Sequence, residues 1–246
     1  MKNIGLQVNN YKKKLEVINK ELQIMPDGHL AESRGFYYHA INKKRIGITK
    51  NPDFIRLLCR KKFLLAYKKQ LENNLSKPIS KFDYTSPIEM ICTFPAFYQK
   101  LPIDYFYHPS IKDWLENPPY RENTYKLEEK TYTSNSGKEF RSKSEVMIAN
   151  SLEERNIPYH SDVEIVKWPG EQIYTDFIIK KPFTGEIILL EHFGMLHEPS
   201  YAKRMDKKMN IYLKKGYIPF ETIIYTYEAD MRNIQWLKDL IDSFII

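Results

Sequence analysis

Two stretches in the first third of the chain repeat apolar residues with a helical period. Residues 10–23 and 51–75 predict two amphipathic helices, and Pro52 suits the first turn of the second one. Gly and Pro signals around the aromatic residues 36–38 predict a small hairpin between them. Much of the apolar side predicted for the second helix is formed by Phe54, Leu57, Leu58, Leu64, Leu65 and Leu71.

The remainder of the chain changes from irregular to regular. Residues 78–137 are rich in Pro, Tyr and Asn, so we interpret them as a connector with short helices, one of them near residues 111–117. After residue 138 the pattern predicts helix 142–155, strand 163–168, hairpin 174–193, helix 199–215 ended by Gly216, strand 220–228 and helix 231–245. This order predicts a mixed α/β domain over residues 138–246, preceded by a mostly helical region over residues 1–77.

Charge separates the two parts of the chain. Residues 1–100 contain 19 Lys and Arg against 8 Asp and Glu, whereas residues 101–246 contain 19 against 23. The basic part is suited to phosphate groups, although solvated helix faces would give the same count. No apolar run is long enough to span a bilayer, and two isolated Cys residues favour a reducing, cytoplasmic location.

The hairpin 174–193 carries one carboxylate in each apolar strand, Asp176 and Glu191. If the turn Pro182–Gly185 centres the hairpin, these two acids lie opposite each other on the same face, with Cβ atoms roughly 5 Å apart. Like charges repel there and burial adds a cost, so the pair predicts a cation between them, and Mg²⁺ prefers such oxygen ligands. The alternative is a slip of one residue, or an acid that reaches solvent at a strand end.

Glu145 is a third acid of interest. Ser142 and Glu145 have capping-box spacing at the start of the helix 142–155, so capping is one interpretation. Glu145 also shares a helical face with Ile148, Ala149 and Leu152, which directs it toward the structure that this helix covers. Both roles are compatible.

These motifs together resemble the PD-(D/E)XK nuclease superfamily. The chain has RSKSE at 141–145, YTDF at 174–177, LEHFGM at 190–195 and SYAK at 200–203, in the order found in a set of stand-alone bacterial members. The resemblance implies a restriction-endonuclease-like mixed sheet flanked by helices, and a divalent-metal-dependent nuclease that hydrolyses DNA. It implies Asp176 and Glu191 as ligands of Mg²⁺ or Mn²⁺, the main-chain carbonyl of His192 as a further ligand, and Glu145 as a supporting acid.

The lysine of the superfamily motif is missing, because Phe193 stands at its position. Some members place this lysine on the next helix. Here Tyr201, Met205, Lys208 and Tyr212 share one helical face, which predicts that Lys208 points inward; an ordinary surface lysine is the alternative. The neighbouring basic residues predicted to face solvent or phosphate are Lys203, Arg204 and Lys207.

DNA is the predicted partner, with RNA as an alternative nucleic acid. The basic surface predicted for the helix 51–75 consists of Lys61, Lys62, Lys68 and Lys69, which would contact backbone phosphates. A homodimer or a partner protein is also compatible with the sequence. The rival functions are a nucleic-acid-binding protein on an inactive nuclease fold and a protein-interaction subunit of a nucleic-acid-processing or defence complex.

Overall fold

The computed structural model describes residues 2–83, 85–168 and 171–245. Contacts along the chain divide it into two compact units, Met1–Tyr107 and His108–Ile246. This boundary lies inside the segment 78–137, so the two halves of the predicted connector belong to different units.

The first unit combines helices with a three-stranded antiparallel sheet of order β1-β2-β3. Two short 3₁₀ helices, Ile79–Lys81 and Ile103–Phe106, also belong to it. Its other elements are α1 (Lys2–Gln23), β1 (His29–Ser33), β2 (Phe36–Ile41), β3 (Lys44–Gly47), α2 (Pro52–Leu75), α3 (Pro87–Cys92) and α4 (Ala96–Gln99).

The sheet has one strand more than the predicted hairpin. Its two connections each place two central residues at positive φ, Arg34 and Gly35 in the first and Asn42 and Lys43 in the second. Such pairs define the tight turns whose twist matches that of antiparallel strands. The second turn, which the sequence analysis missed, sends Lys44–Gly47 back along β2 as the third strand.

Helix α2 forms the centre of the first unit. The side chain of Asn51 caps it by accepting a hydrogen bond from the backbone N–H of Phe54 at 3.1 Å. The predicted apolar side was wrong at Leu65, which is 48% exposed, because Phe63 rather than Leu65 turns into the core. Arg60 is also buried, and its guanidinium binds both carboxylate oxygens of Glu21 on α1 at 2.8 Å.

The second unit contains a five-stranded sheet, flanking helices and a small two-stranded sheet. It also includes 3₁₀ helices at Leu127–Glu129 and Asp230–Arg232. Its other elements are α5 (Ser110–Glu116), β4 (Arg121–Glu122), β5 (Tyr132–Thr133), β6 (Glu139–Phe140), α6 (Lys143–Glu153), β7 (Tyr159–Trp168), β8 (Glu171–Lys180), β9 (Ile187–Phe193), α7 (Pro199–Lys214), β10 (Ile223–Tyr227) and α8 (Ile234–Phe244).

The five strands have the order β10-β9-β8-β7-β4, with β10 parallel to β9 and the other neighbours antiparallel. Apolar side chains cover both faces of this sheet. Ile148 and Leu152 of α6 and Leu237 of α8 belong to the core on one face, whereas Ile211 and Tyr212 of α7 belong to the core on the other. The predicted mixed α/β class is therefore confirmed.

The turn between β8 and β9 fixes the geometry of the central hairpin. Backbone hydrogen bonds of 2.8 Å join Lys181 to Glu186 and Gly185 to Lys181. Gly185 has a φ of +73°, and a Cβ at this position would meet the ring of His108 at 2.6 Å. Glycine is required here because both the backbone angle and the close approach exclude a side chain.

Candidate active site

The register of the central hairpin brings Asp176 and Glu191 to one place. Phe177 pairs with Leu190 and Lys180 with Ile187, which is the register predicted from the turn. Asp176 and Glu191 are the next residues beyond the pair Phe177–Leu190 on their two strands. The carboxylate of Asp176 accepts a hydrogen bond from the backbone N–H of His192, the residue after Glu191, at 2.7 Å. Strand alternation places both acids on the face covered by α7.

Glu191 is buried and paired with two side chains of α7. It is 1% exposed, and the ammonium of Lys208 lies 2.6 Å from its Oε2 atom. The hydroxyl of Tyr212 donates to Oε1. The predicted inward direction of Lys208 is therefore confirmed, and its contact with Glu191 rules out the interpretation of an ordinary surface lysine.

Burial sets the protonation behaviour of Glu191. Loss of solvation raises its pKa to about 7, and the nearby charge of Asp176 adds to the rise, whereas Lys208 and Tyr212 oppose it. Burial alone would lower the pKa of Lys208, but the carboxylates of Glu191 and Asp176 outweigh it and raise that pKa. Lys208 is therefore a stable cation beside two acids.

Asp176 differs from Glu191 because its side chain remains partly exposed. Its pKa is raised, chiefly by desolvation and further by the charges of Glu145 and Asp162, while Lys208 and the hydrogen bond from His192 lower it. Asp176 is thus the accessible member of the pair, and it lies within electrostatic range of a second acid on α6.

Glu145 occupies the first turn of α6. Its backbone N–H donates to the hydroxyl of Ser142 at 3.2 Å, and its carboxylate accepts from the backbone N–H of Arg141 at 3.1 Å. Ser142 therefore caps α6 as predicted, whereas the capping box is incomplete because Glu145 accepts from the N–H of Arg141 and not from that of Ser142. Its charge raises the pKa of Asp176, so Glu145 also lies within electrostatic range of the central pair.

Asp162 is an acid that sequence reasoning missed. The pairs Ser161–Phe177 and Val163–Thr175 place it across from Asp176 on the neighbouring strand. Its backbone has a φ of 53°, and its carboxylate binds Arg141 at 2.5 Å and Lys130 at 3.1 Å. The positive φ of Asp162 interrupts the extended backbone of β7, and no periodic pattern in the sequence predicts it.

His192 follows Glu191, and its side chain lies on the opposite face of the sheet, as alternation predicts. Its ring nitrogens contact the hydroxyl of Thr226 at 3.2 Å and the carboxylate of Glu228 at 3.4 Å. The peptide N–H of His192 contacts Asp176, so the backbone at this position borders the pair even though the imidazole does not. The role of its carbonyl as a metal ligand stays a prediction.

Phe193 and Tyr225 are two aromatic residues that lie next to Glu191, one on the same strand and one on the neighbouring strand β10. Phe193 is 1% exposed and stacks on Tyr225 with ring centroids 5.3 Å apart, so the motif-lysine position serves packing. Tyr225 lies next to Glu191 in the β9–β10 register. Its hydroxyl is buried and, among the described residues, lacks a hydrogen-bond partner. Tyr225 is the second residue near the site that sequence reasoning missed.

The donor set is compatible with Mg²⁺ or Mn²⁺. No group of three or more His, Cys, Asp and Glu side chains in the described part of the chain is arranged to hold a metal. Mg²⁺, however, is often held by one or two carboxylates together with waters and substrate phosphates. Asp176 and Glu191 supply two oxygen ligands of this kind on one face, and Asp176 is partly exposed. An ion here would share Glu191 with Lys208.

The predicted phosphate-contacting residues fall into two groups. On α7 all three side chains, Lys203, Arg204 and Lys207, are exposed, as predicted. On α2 three of the four lysines contact other parts of the first unit. The ammonium of Lys61 donates to the carbonyl of Pro26 at 2.6 Å, that of Lys68 to Asn19 at 2.7 Å, and that of Lys62 lies 5.2 Å from the ring centre of Phe94. Lys69 is exposed.

A membrane-spanning helix is not found in the described part of the chain, where every helix is too short or too polar to cross a bilayer. Comparisons of the chain with protein-family models, with curated proteins and with solved structures found no match.

Proposed function

We propose that the chain is a divalent-metal-dependent nuclease that hydrolyses DNA phosphodiester bonds on a restriction-endonuclease-like fold. The observation that carries this proposal is the contact of 2.6 Å between the Lys208 ammonium and Glu191, beside Asp176. Two acids from adjacent strands can hold a divalent metal ion, and a lysine from the following helix can stabilise negative charge on a phosphate, so together these residue types are suited to hydrolysis of a phosphodiester.

Each residue has a distinct role in the proposed reaction. Asp176 and Glu191 would hold Mg²⁺ or Mn²⁺, which supplies Lewis-acid activation of the phosphate and of a water molecule. Lys208 keeps its proton and offsets the negative charge that develops on the phosphate oxygens. Tyr212 holds the carboxylate of Glu191 in a fixed orientation, and Glu145 adds negative charge beside Asp176.

A rival function, DNA binding without catalysis, is favoured by one observation. Both oxygens of Glu191 already accept hydrogen bonds, one from Lys208 and one from Tyr212, so this pair is neutralised without a metal ion. In that case the ion pair of Glu191 and Lys208 would serve stability alone.

Incubation of the protein with supercoiled plasmid and Mg²⁺ or Mn²⁺ distinguishes a nuclease from a protein that binds DNA without cleaving it. We expect nicking or linearisation by the parent, and loss of this activity in Asp176→Asn and Glu191→Gln. Glu186→Gln is the matched control, because Glu186 is an exposed acid on the same hairpin. A parent that binds plasmid but leaves it intact with both metals would favour the rival, and equal cleavage by all variants would place the reaction elsewhere.

A further inference from the structure

The three-stranded sheet of the first unit has one covered face and one open face. On the covered face Leu30 is 1% exposed, and the ring of His39 packs edge-on against Phe54 of α2 with centroids 5.0 Å apart. Side chains alternate along a strand, so the neighbouring residues of β1 and β2 point away from α2. We call this second side the outer face.

The outer face is accessible along β3. The register sets Tyr38 beside Gly47 and Ala40 beside Arg45. A Cβ added at Gly47 would meet no atom within 4 Å, and every residue of β3 is exposed. Small residues therefore leave space around the larger ones. This face includes Ala31, Phe36, Tyr38, Ala40, Arg45 and Gly47.

Positive charge surrounds the outer face. Residues 29–50 contain five basic residues and a single acid, Glu32. Strand alternation turns Glu32 to the covered side, where its carboxylate accepts from the backbone N–H of Gly35 at 2.6 Å. The basic residues at the turns, Arg34 and Lys43, lie at opposite ends of the sheet. Of the five basic residues, Arg45 points to the outer face, and Arg34 and Lys43 lie at the turns. Lys44 alternates with Arg45 and points to the covered side, and Lys50 follows the last strand.

These basic side chains differ from the lysines of α2. Three of the four α2 lysines are engaged by contacts inside the first unit. Among the described residues, by contrast, no ion pair or side-chain hydrogen bond involves the charged ends of Arg34, Lys43 or Arg45. Within the first unit, the sheet therefore offers more positive charge to an external partner than the α2 lysines do.

We propose that the outer face of the sheet β1–β3 docks on double-stranded DNA. The major groove of B-form DNA, roughly 12 Å wide, admits a two-stranded β-ribbon such as β2–β3, and the basic turns at the two ends of β2 are placed to meet the phosphates beside it. Tyr38 and Arg45 would face the groove. Duplex RNA is a poorer fit because its major groove is deep and narrow. This assignment deepens the proposed function, on which the choice of DNA rests.

Fluorescence anisotropy with a labelled 20-base-pair DNA duplex tests the proposal in the full chain. EDTA is present, so binding is measured without cleavage. For Arg45→Glu we expect about tenfold weaker binding at 0.1 M salt, because the substitution replaces a positive charge that faces the groove with a negative one. Gly47→Glu should weaken binding to a similar extent, because it fills the open space of the outer face. Lys100→Glu makes the same charge change as Arg45→Glu at an exposed position elsewhere in the first unit, and should bind like the parent.

Each other outcome overturns the proposal. Parent-like affinity of both outer-face variants would do so, as would equal weakening by Lys100→Glu, or tighter binding of single-stranded RNA than of duplex DNA. Thermal unfolding of each variant identifies a folding defect, in which case the milder Arg45→Gln replaces it. A parent that binds duplex through this face without cleaving plasmid would overturn only the nuclease, whereas cleavage with parent-like affinity of Arg45→Glu would overturn only the docking face.

Discussion

The ammonium of Lys208 lies 2.6 Å from Oε2 of Glu191, and the two side chains are 19% and 1% exposed. This ion pair explains how two apolar strands accommodate facing acids, because α7 supplies a positive charge beside them. A buried pair of this type is costly to break, since removal of one partner leaves the other charge uncompensated. The same contact holds the candidate catalytic groups together.

Replacement of Lys208 by Met should remove both the charge and the proposed chemistry. We expect DNA cleavage to fall at least about 100-fold, the scale of losing one group that stabilises transition-state charge. We also expect a loss of about 3 kcal/mol in the free energy of unfolding at pH 8, where Glu191 is ionised and buried. Plasmid cleavage and urea denaturation measure the two effects. Lys214→Met, an exposed position on the same helix, should change neither.

The pKa of about 7 for Glu191 predicts a pH dependence of metal binding. Below pH 7 the carboxyl group is increasingly protonated, so the apparent affinity for Mn²⁺ should fall as the pH decreases from 8 to 6. Titration calorimetry at several pH values measures this change. An affinity that is flat across this range would show that Glu191 is not a ligand.

The same shift has an effect on stability with a defined sign. The folded-state pKa of Glu191 is raised from its ordinary 4.5, so its contribution to stability is fully present below pH 4.5 and is lost as the pH rises toward 7. The free energy of unfolding of the parent should therefore decline across this window more than that of Glu191→Gln. Denaturation of both proteins at pH 5, 6 and 7 provides the test.

Tyr212→Phe isolates the hydrogen bond to Oε1 of Glu191. Because this bond lowers the pKa of the carboxyl group, we expect the midpoint of the pH profile to move upward in the variant. We also expect a loss of about 1–3 kcal/mol in stability, typical of a hydrogen bond to a charged group. Tyr217→Phe is a suitable comparison, because Tyr217 packs against Tyr212 at its ring. A downward shift would contradict the assigned donor role.

Gly185→Ala tests the turn that sets the register of the two acids. The substitution combines a positive φ with contact of the new Cβ against the His108 ring, so we expect a loss of about 2–3 kcal/mol in the free energy of unfolding. Gly137→Ala separates the two causes. Gly137 has a φ of +87° and open space around it, so this variant should lose only about 1 kcal/mol. Equal losses would mean that the His108 contact is unimportant.

The sequence by itself determined the parts of this site that depend on local periodicity. The turn Pro182–Gly185 fixed the hairpin register, because each step along one antiparallel strand is matched by a step along the other. The helical period likewise fixed the inward face of α7, on which Lys208 and Tyr212 both reach Glu191. These relationships join residues within one element or across one turn.

Only the tertiary structure decided which distant residues border the acids. Asp162 has a positive φ within β7, and Tyr225 lies beside Glu191 because β10 pairs in parallel with β9. Neither feature produces a periodic pattern in the sequence. Pairing and packing between different elements determine the positions of these two residues, and the pattern of residues within a single element does not predict such contacts.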